Sequence, residues 1–356
     1  MDKVRVGFIG AGRISDLHAI EYLRNPRAEI VAVCDANPEI ARRQADRWGV
    51  PGTRVFADWE QLLRCEEVGL VEILLPHHLH RPAALAAFAA GKHVSLQKPM
   101  ALSLAEADDI NAAAERAGVF FKVFENFVFY PPIQKAKELV DDGAIGEPLT
   151  IRVKSNAGKG RNAWPVPPAA QAWRLDPDKC GGGPLSFDDG HHKFALGWHF
   201  MGEMQEVHAW ISQTEVSPGF VLDSPAMISW KFANGRFGNL EVVYSRDLEI
   251  ETVHYAQDDR VEITGTRGVI WVNRGHGRLF DQPPVVLYAD NEVRAFSGME
   301  AGWEASFVAS TRHHIDALLD GGAPYLSGRQ GADILRFALA AQESARTGRP
   351  VKTRNG

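Results

Sequence analysis

Lys98, Asp188 and His192 are the side chains whose types and settings could move a proton and steady a negative charge at an oxygen atom. Asp188 and His192 lie four positions apart, behind Gly181-Gly182-Gly183-Pro184, where the glycines lead into a helix and the proline suits its first position. That spacing puts both on one helix face, so the carboxylate can hold the imidazole in one tautomer, or both can reach one substrate. Asp189 and Lys193 repeat the spacing one residue round and read as a surface ion pair of about 0.3 to 0.5 kcal/mol. His191 faces elsewhere on that helix. Lys98, in Ser95-Leu-Gln-Lys98-Pro99, stands at the carboxyl end of a predicted parallel strand, the edge at which open α/β sheets bind ligands. Hydride leaves a carbinol carbon when an acid/base group meets its oxygen and a positive charge steadies the alkoxide. His192 and Lys98 suit those two parts.

The hydride acceptor is legible at the start of the chain. An apolar strand from Val4 runs into Gly10-x-Gly12, then Arg13 and Ile14, with a helical pattern just beyond. Gly10 permits the tight turn, Gly12 lets a pyrophosphate approach the backbone, and the helix start offers N–H groups and partial positive charge. The third small position is Ser15. A second strand, Glu29 to Cys34, ends at Asp35, where a carboxylate accepts both ribose hydroxyls of an adenosine. Asp35 therefore predicts NAD, while Arg42 or Arg43 keeps NADP open as the less favoured cofactor.

These residues need a scaffold. From Asp35 to Phe124 helical and apolar strand patterns alternate, so residues 1–124 read as a doubly wound parallel sheet that binds NAD. Beyond residue 124 the texture changes to period-two stretches and turns. Ala226–Phe232, Asn234-Gly235 and Phe237–Tyr244 predict a hairpin, and residues 125–356 an α/β domain with a large, mostly antiparallel open sheet for substrate binding and oligomerisation. Residues 157–172, rich in Gly, Pro and Ala, predict a long functional loop. Strands such as Ile228–Phe232 and Leu240–Tyr244 predict a half-exposed apolar face, hence a homodimer or homotetramer.

Charge and composition narrow the partners. The net charge of −6 includes no basic stripe, which argues against nucleic acid and anionic membranes and for a small-molecule substrate. Three scattered cysteines, no leader ahead of Val4 and no long apolar run predict a cytoplasmic protein. Trp164, Trp173, Arg174 and Tyr130 are candidate substrate walls, because an arginine beside aromatic faces suits a polyol or carboxylate. Glu125, Asp188, Asp189, His191 and His192 are candidate ligands for a divalent metal, whose carboxylates suit magnesium or manganese better than zinc.

Across nearly its whole length the chain resembles the Gfo/Idh/MocA family of sugar and cyclitol oxidoreductases. The resemblance rests on Gly10, Gly12 and His18, on Pro76 to His80, on Gln97-Lys98-Pro99 where the family has Glu-Lys-Pro, and on Asp188, Gly190 and His192 followed by Met201-Gly202. It implies Lys98, Asp188 and His192 as the catalytic set, with His192 the general base and Lys98 polarising the substrate oxygen. Cofactor contacts would come from Gly10, Gly12, Arg13, Ile14, Asp35, Pro76, His80, Gln97 and Lys98. Substrate contacts would come from Lys98, Glu125, Asn126, Trp164, Trp173, Arg174, Asp188, His191 and His192. Gln97, Val128 and Ala195 depart from the family's Glu, Arg and Asp. The segment Phe187 to Lys193 also resembles members acting on branched sugar acids such as apionate, where oxidation is coupled to rearrangement and magnesium takes part. The main expectation is an NAD-dependent dehydrogenase of a sugar, sugar acid or cyclitol. An oxidoisomerase or lyase that returns its hydride, and a non-catalytic NAD or ligand sensor, are the alternatives.

Overall fold

Residues 3–165 and 168–353 are described by the computed structural model, in which the chain forms two compact units. The first spans the chain to Asn126 and takes in Phe307–Leu335. Its strands are β1 (Val4–Ile9), β2 (Ala28–Cys34), β3 (Arg54–Phe56), β4 (Leu70–Ile73), β5 (His93–Gln97) and β6 (Phe121–Phe124), all parallel, in the order β3-β2-β1-β4-β5-β6. β4 and β6 are buried along their whole length, as expected of strands covered on both faces. The order reverses between β1 and β4. Gly10, Asp35, Pro76, Lys98 and Glu125 follow β1, β2, β4, β5 and β6 respectively, so they share the carboxyl edge at the switch point where such sheets take ligands.

A cut at residue 124 misses one element of this unit. Ile315, on the helix Glu304–Leu319, packs in one core cluster with Val4, Phe8, Tyr22 and Ile30. An apolar helix face seeks a complementary surface, not a neighbour in sequence.

The second unit, Phe127–Ser306 with the chain from Arg336 onward, is built on nine strands. These are β7 (Pro148–Arg161), β8 (Met204–Ile211), β11 (Ala226–Phe232), β12 (Phe237–Glu251), β13 (Gln257–Gly265), β14 (Gly268–Val272), β15 (Val285–Ala289), β16 (Glu292–Phe296) and β17 (Val351–Lys352); β9 (Thr214–Ser217) and β10 (Phe220–Leu222) form a separate pair. The order is β16-β15-β14-β13-β7-β12-β11-β8-β17, parallel only between β7 and β12. The hairpin β11–β12 turns at Asn234-Gly235, with Gly235 at φ +81°.

Two expectations are corrected here. The loop predicted over 157–172 begins instead as the far end of β7, where a Cβ on Gly158 would lie 2.3 Å from the Leu248 carbonyl oxygen. Its glycine answers a close backbone approach, not a turn. The apolar residues of β11 and β12 (Ile228, Trp230, Phe232, Leu240, Val242) are buried, with Trp230 meeting Phe194 and Phe337 edge-on. The alternate residues make the open face. That face is a trough of about 770 Å³ crossed by the ion pairs Lys154–Glu241 (3.1 Å) and Arg152–Glu262 (3.8 Å), with Trp210, Met227 and Phe237 exposed on the sheet.

Candidate active site

In the first unit the turn after β1 has the shape a dinucleotide needs. Gly10 has φ +100°, and a Cβ there would lie 2.5 Å from the Leu74 carbonyl oxygen. A Cβ on Gly12 would meet nothing within 4 Å, so the fold does not require that glycine, whereas an approaching pyrophosphate does. Among the described residues the N–H groups of Gly12 and Ile14 have no acceptor, and the helix Ser15–Arg24 begins without a side-chain cap. Ser15 is fully buried and donates to the Gly12 carbonyl at 2.6 Å. Arg13 and Ile14 are half-buried in the same turn.

Asp35 ties this turn to β2. One carboxylate oxygen accepts from Ala11 N and the other from Asn37 N, each at 3.0 Å. A carboxylate has about four acceptor positions, so two are left for ribose hydroxyls. Replacing Asp35 with Ala should therefore weaken NAD more than NADP, whose phosphate the carboxylate repels. Calorimetric titration of both cofactors into wild type and variant checks it, and an unchanged ratio of affinities refutes it.

The strand end that carries Lys98 rests on a buried polar chain. Lys98 N–H donates to Gln97 Oε1 at 2.8 Å, which leaves Gln97 Nε2 to donate to His18 Nε2 at 3.1 Å. His18 therefore carries its proton on Nδ1, which faces Glu72 at 3.2 Å. Tyr22 donates to the other oxygen of Glu72 at 2.7 Å and accepts from His314 Nε2 at 2.6 Å, burial holding His314 well below the usual histidine range. An amide at position 97 is what this directionality requires; a carboxylate there would need a second proton on His18. The Lys98–Pro99 peptide is cis, and Lys98 is itself buried.

His80, predicted to contact the cofactor, is turned inward. It is fully buried with its ring nitrogens 2.8 Å from the carbonyls of Leu75 and Pro99. Burial and the neighbouring His77 push it down to about 3 despite those carbonyls, so a neutral ring bonds one of them and braces the loops after β4 and β5. Pro76 caps the short helix His77–Leu79 on the same edge. Glu125 and Asn126, just beyond β6, are buried. Buried Lys122 on β6 is pushed down to about 7 by burial, although Glu72 and Glu125 oppose the shift, and it donates to Ser310 O and Oγ at 3.0 and 2.8 Å.

The second unit holds Asp188 and His192. The helix expected behind Pro184 opens as a π-helical turn, Pro184–Asp189, in which Asp188 N donates to Gly183 O at 3.1 Å, and continues as Gly190–Met201. Asp223 receives Leu185 N at 2.8 Å and Ser186 N at 2.7 Å, pinning that first turn. Asp188 accepts from Arg174 Nε at 2.9 Å, and Arg174 lies over the Trp173 ring at 4.3 Å. Burial opposes the guanidinium's charge, but Asp188 raises it above its ordinary range. His192 is buried and stacked on Phe127, centroids 4.5 Å apart at 27°. His191 is buried as well.

The pair Asp189–Lys193 is not a surface pair. Lys193 is wholly buried, 2.9 Å from Asp189 and 3.4 Å from Asp259, with its ammonium 4.6 Å from the centre of the Phe127 ring. Gln257 donates to Asp189 at 2.6 Å, and Asp259 accepts from Ser155 Oγ at 2.7 Å and His276 Nδ1 at 2.9 Å. Phe127, Ser155, Asp259 and His276 escaped the sequence reading. Asp259 was findable, since it shares the inward alternation of β13 with Val261 and Ile263. Trp164 joins an edge-to-face group with His254 (5.0 Å) and Tyr255 (5.5 Å), which Trp303 also meets.

Among the described residues no three His, Cys, Asp or Glu side chains are placed to hold a metal ion. Asp189 is committed to Lys193 and Gln257, and Asp188 to Arg174. No helix among the described residues is long and apolar enough to cross a membrane.

Two family models match the chain: an oxidoreductase family NAD-binding Rossmann fold over residues 4–125, and the C-terminal α/β domain of the same family over residues 137–353. A D-apiose dehydrogenase of Paraburkholderia graminis is 29% identical over 99% of this chain and 90% of its own length. A myo-inositol 2-dehydrogenase of Thermotoga maritima is 26% identical over 98% of each. In fold, the chain is similar to an oxidoreductase from Agrobacterium radiobacter solved with NAD+, L-tartaric acid and magnesium, with a TM-score of 0.85, 24% identity, and 99% and 98% of the two chains covered.

Proposed function

Because the chain belongs to the Gfo/Idh/MocA oxidoreductase family, we propose that it oxidises a hydroxyl-bearing carbon of a sugar, sugar acid or cyclitol. The observation that carries this is the buried acid and histidine at the head of the helix Gly190–Met201, with Arg174 and the Trp173 ring beside Asp188. The relatives named for D-apiose and myo-inositol support the substrate class.

When bound, NAD supplies the hydride acceptor, and Gly10, Gly12, Ile14 and Asp35 are the residues that would hold it. His192 takes the hydroxyl proton, with Phe127 fixing the plane of its ring. Asp188, paired with Arg174, hydrogen-bonds the substrate and orients it. Lys98 steadies the alkoxide, its backbone anchored through Gln97 to His18. A screen of polyols and sugar acids with NAD, run with magnesium and with a chelator, tests the reading. Accumulating NADH is the expected result, and polyols that give none across the panel would sink it.

We propose that the open sheet face is the subunit interface of a homodimer or homotetramer. Its Arg152–Glu262 and Lys154–Glu241 pairs, with Trp210, Met227 and Phe237, suit a second copy of this chain better than bulk water. Light scattering should report a dimer or tetramer; a mass near the 39.2 kDa of one chain refutes this. The buried free thiols of Cys34, Cys65 and Cys180 suit the reducing cytoplasm.

A further inference from the structure

His276 is buried, yet only one of its two ring nitrogens is engaged by the protein among the described residues. Its Nδ1 lies 2.9 Å from Asp259, a wholly buried carboxylate. Burial alone would push Asp259 up, but Lys193 and His276 hold it below the usual carboxylate range, so it accepts and His276 Nδ1–H donates. Asp259 is pinned in turn by Ser155 Oγ and Lys193. Hydrogen bonding thus holds the imidazole through Nδ1 alone. On its other side, among the described residues, Nε2 has no protein partner, and it is not among the sealed polar atoms that lack one. His80 shows the contrast, since both its nitrogens meet backbone carbonyls.

Aromatic rings surround that nitrogen's ring. Trp303 lies 4.4 Å from it, Phe127 5.1 Å and Tyr255 5.7 Å between centroids. Phe127 also stacks on His192, so the two histidines flank one phenyl ring. Aromatic faces accept the C–H-bearing face of a cyclic polyol, and a few placed polar groups fix its orientation.

We propose that His276, presented by Asp259, binds the substrate through Nε2, holding a hydroxyl of a cyclic polyol whose apolar face lies on the Trp303 and Tyr255 rings. This rests on the sugar or cyclitol reading given above. Asp259 is a positioning residue in this scheme and touches no substrate.

Two substitutions separate binding from architecture. His276→Asn keeps a donor where Nδ1 faces Asp259 and lacks Nε2; His276→Gln places its amide near Nε2. Levoglucosan, myo-inositol, D-apiose and methyl glucoside are titrated calorimetrically into the NADH-loaded wild type and both variants. We expect at least one probe to bind wild type, roughly tenfold weaker binding to His276→Asn, about threefold or less for His276→Gln, and unchanged NADH affinity. In turnover the loss should sit in KM, with kcat little altered. Equal binding to His276→Asn and wild type, a greater loss in His276→Gln than in His276→Asn, or no probe bound by wild type overturns the proposal. Polyol binding without NADH formation would remove the dehydrogenase reading and leave this one standing. Normal turnover by His276→Asn at wild-type KM would do the reverse.

Discussion

His192→Asn should lower kcat by roughly 10² to 10⁴ and leave NAD affinity intact, the usual contribution of a positioned acid/base. Asparagine keeps much of the volume that stacks on Phe127, so the loss reports chemistry and not packing. Activity should recover in part as pH rises, because hydroxide then replaces the missing base. Lys98→Met removes a charge at the alkoxide, and its defect should persist at high pH with cofactor affinity little changed. Single-turnover kinetics across pH distinguish the two. If His192→Asn keeps wild-type kcat while His191→Asn abolishes it, the catalytic face of the helix is misassigned.

Lys193→Met should cost about 3 to 5 kcal/mol of stability, a large share of what a domain possesses. The ammonium is wholly buried between Asp189 and Asp259, and its loss strands the buried Asp259 carboxylate and leaves the largely covered Asp189 without its ion pair. Denaturant unfolding monitors the change, and a variant within 1 kcal/mol of wild type would count against the cluster. Replacing Asp189 and Asp259 by Asn in the same chain should recover most of the loss, since neutral groups need no counter-charge. The pH dependence follows from the two shifts. Asp259 is held below the ordinary carboxylate value of 3.8, so its contribution is complete above that pH and is lost as pH falls through the folded value. Burial opposes the Lys193 charge, but Asp189 and Asp259 raise it above 10.5; its contribution is complete below that pH and is lost on passing the raised value. The cluster is at full strength between those limits.

How much of this could be read along the chain differs between the two units. Alternating strands and helices, Gly10, Asp35 and Lys98 are short-range signals. A parallel sheet places every strand's carboxyl end on one edge, so β order alone carried those residues to a common rim. Asp188 and His192 were legible for a similar reason: one helix start holds both. The π-helical turn was not, because it depends on Asp223, far along the chain, accepting from Leu185 and Ser186.

β7 was half hidden by its own composition. Gly158 and Gly160 read as loop residues until Leu248 and Ala163 come close enough to exclude a Cβ. Asp189–Lys193 has the spacing of any solvated helix pair, and no local feature shows that Asp259, Ser155 and Gln257 close over it. His276 was silent for the same reason, since its partner Asp259 sits on β13. The sequence by itself determined the parallel sheet, the cofactor turn and the acid and histidine of one helix, because each is set by periodicity or by neighbours a few residues apart. Only the tertiary structure decided which charges are buried, which way Gln97 and His18 share their proton, and which rings surround His276, because burial and hydrogen-bond direction depend on groups that are distant in sequence until the chain folds.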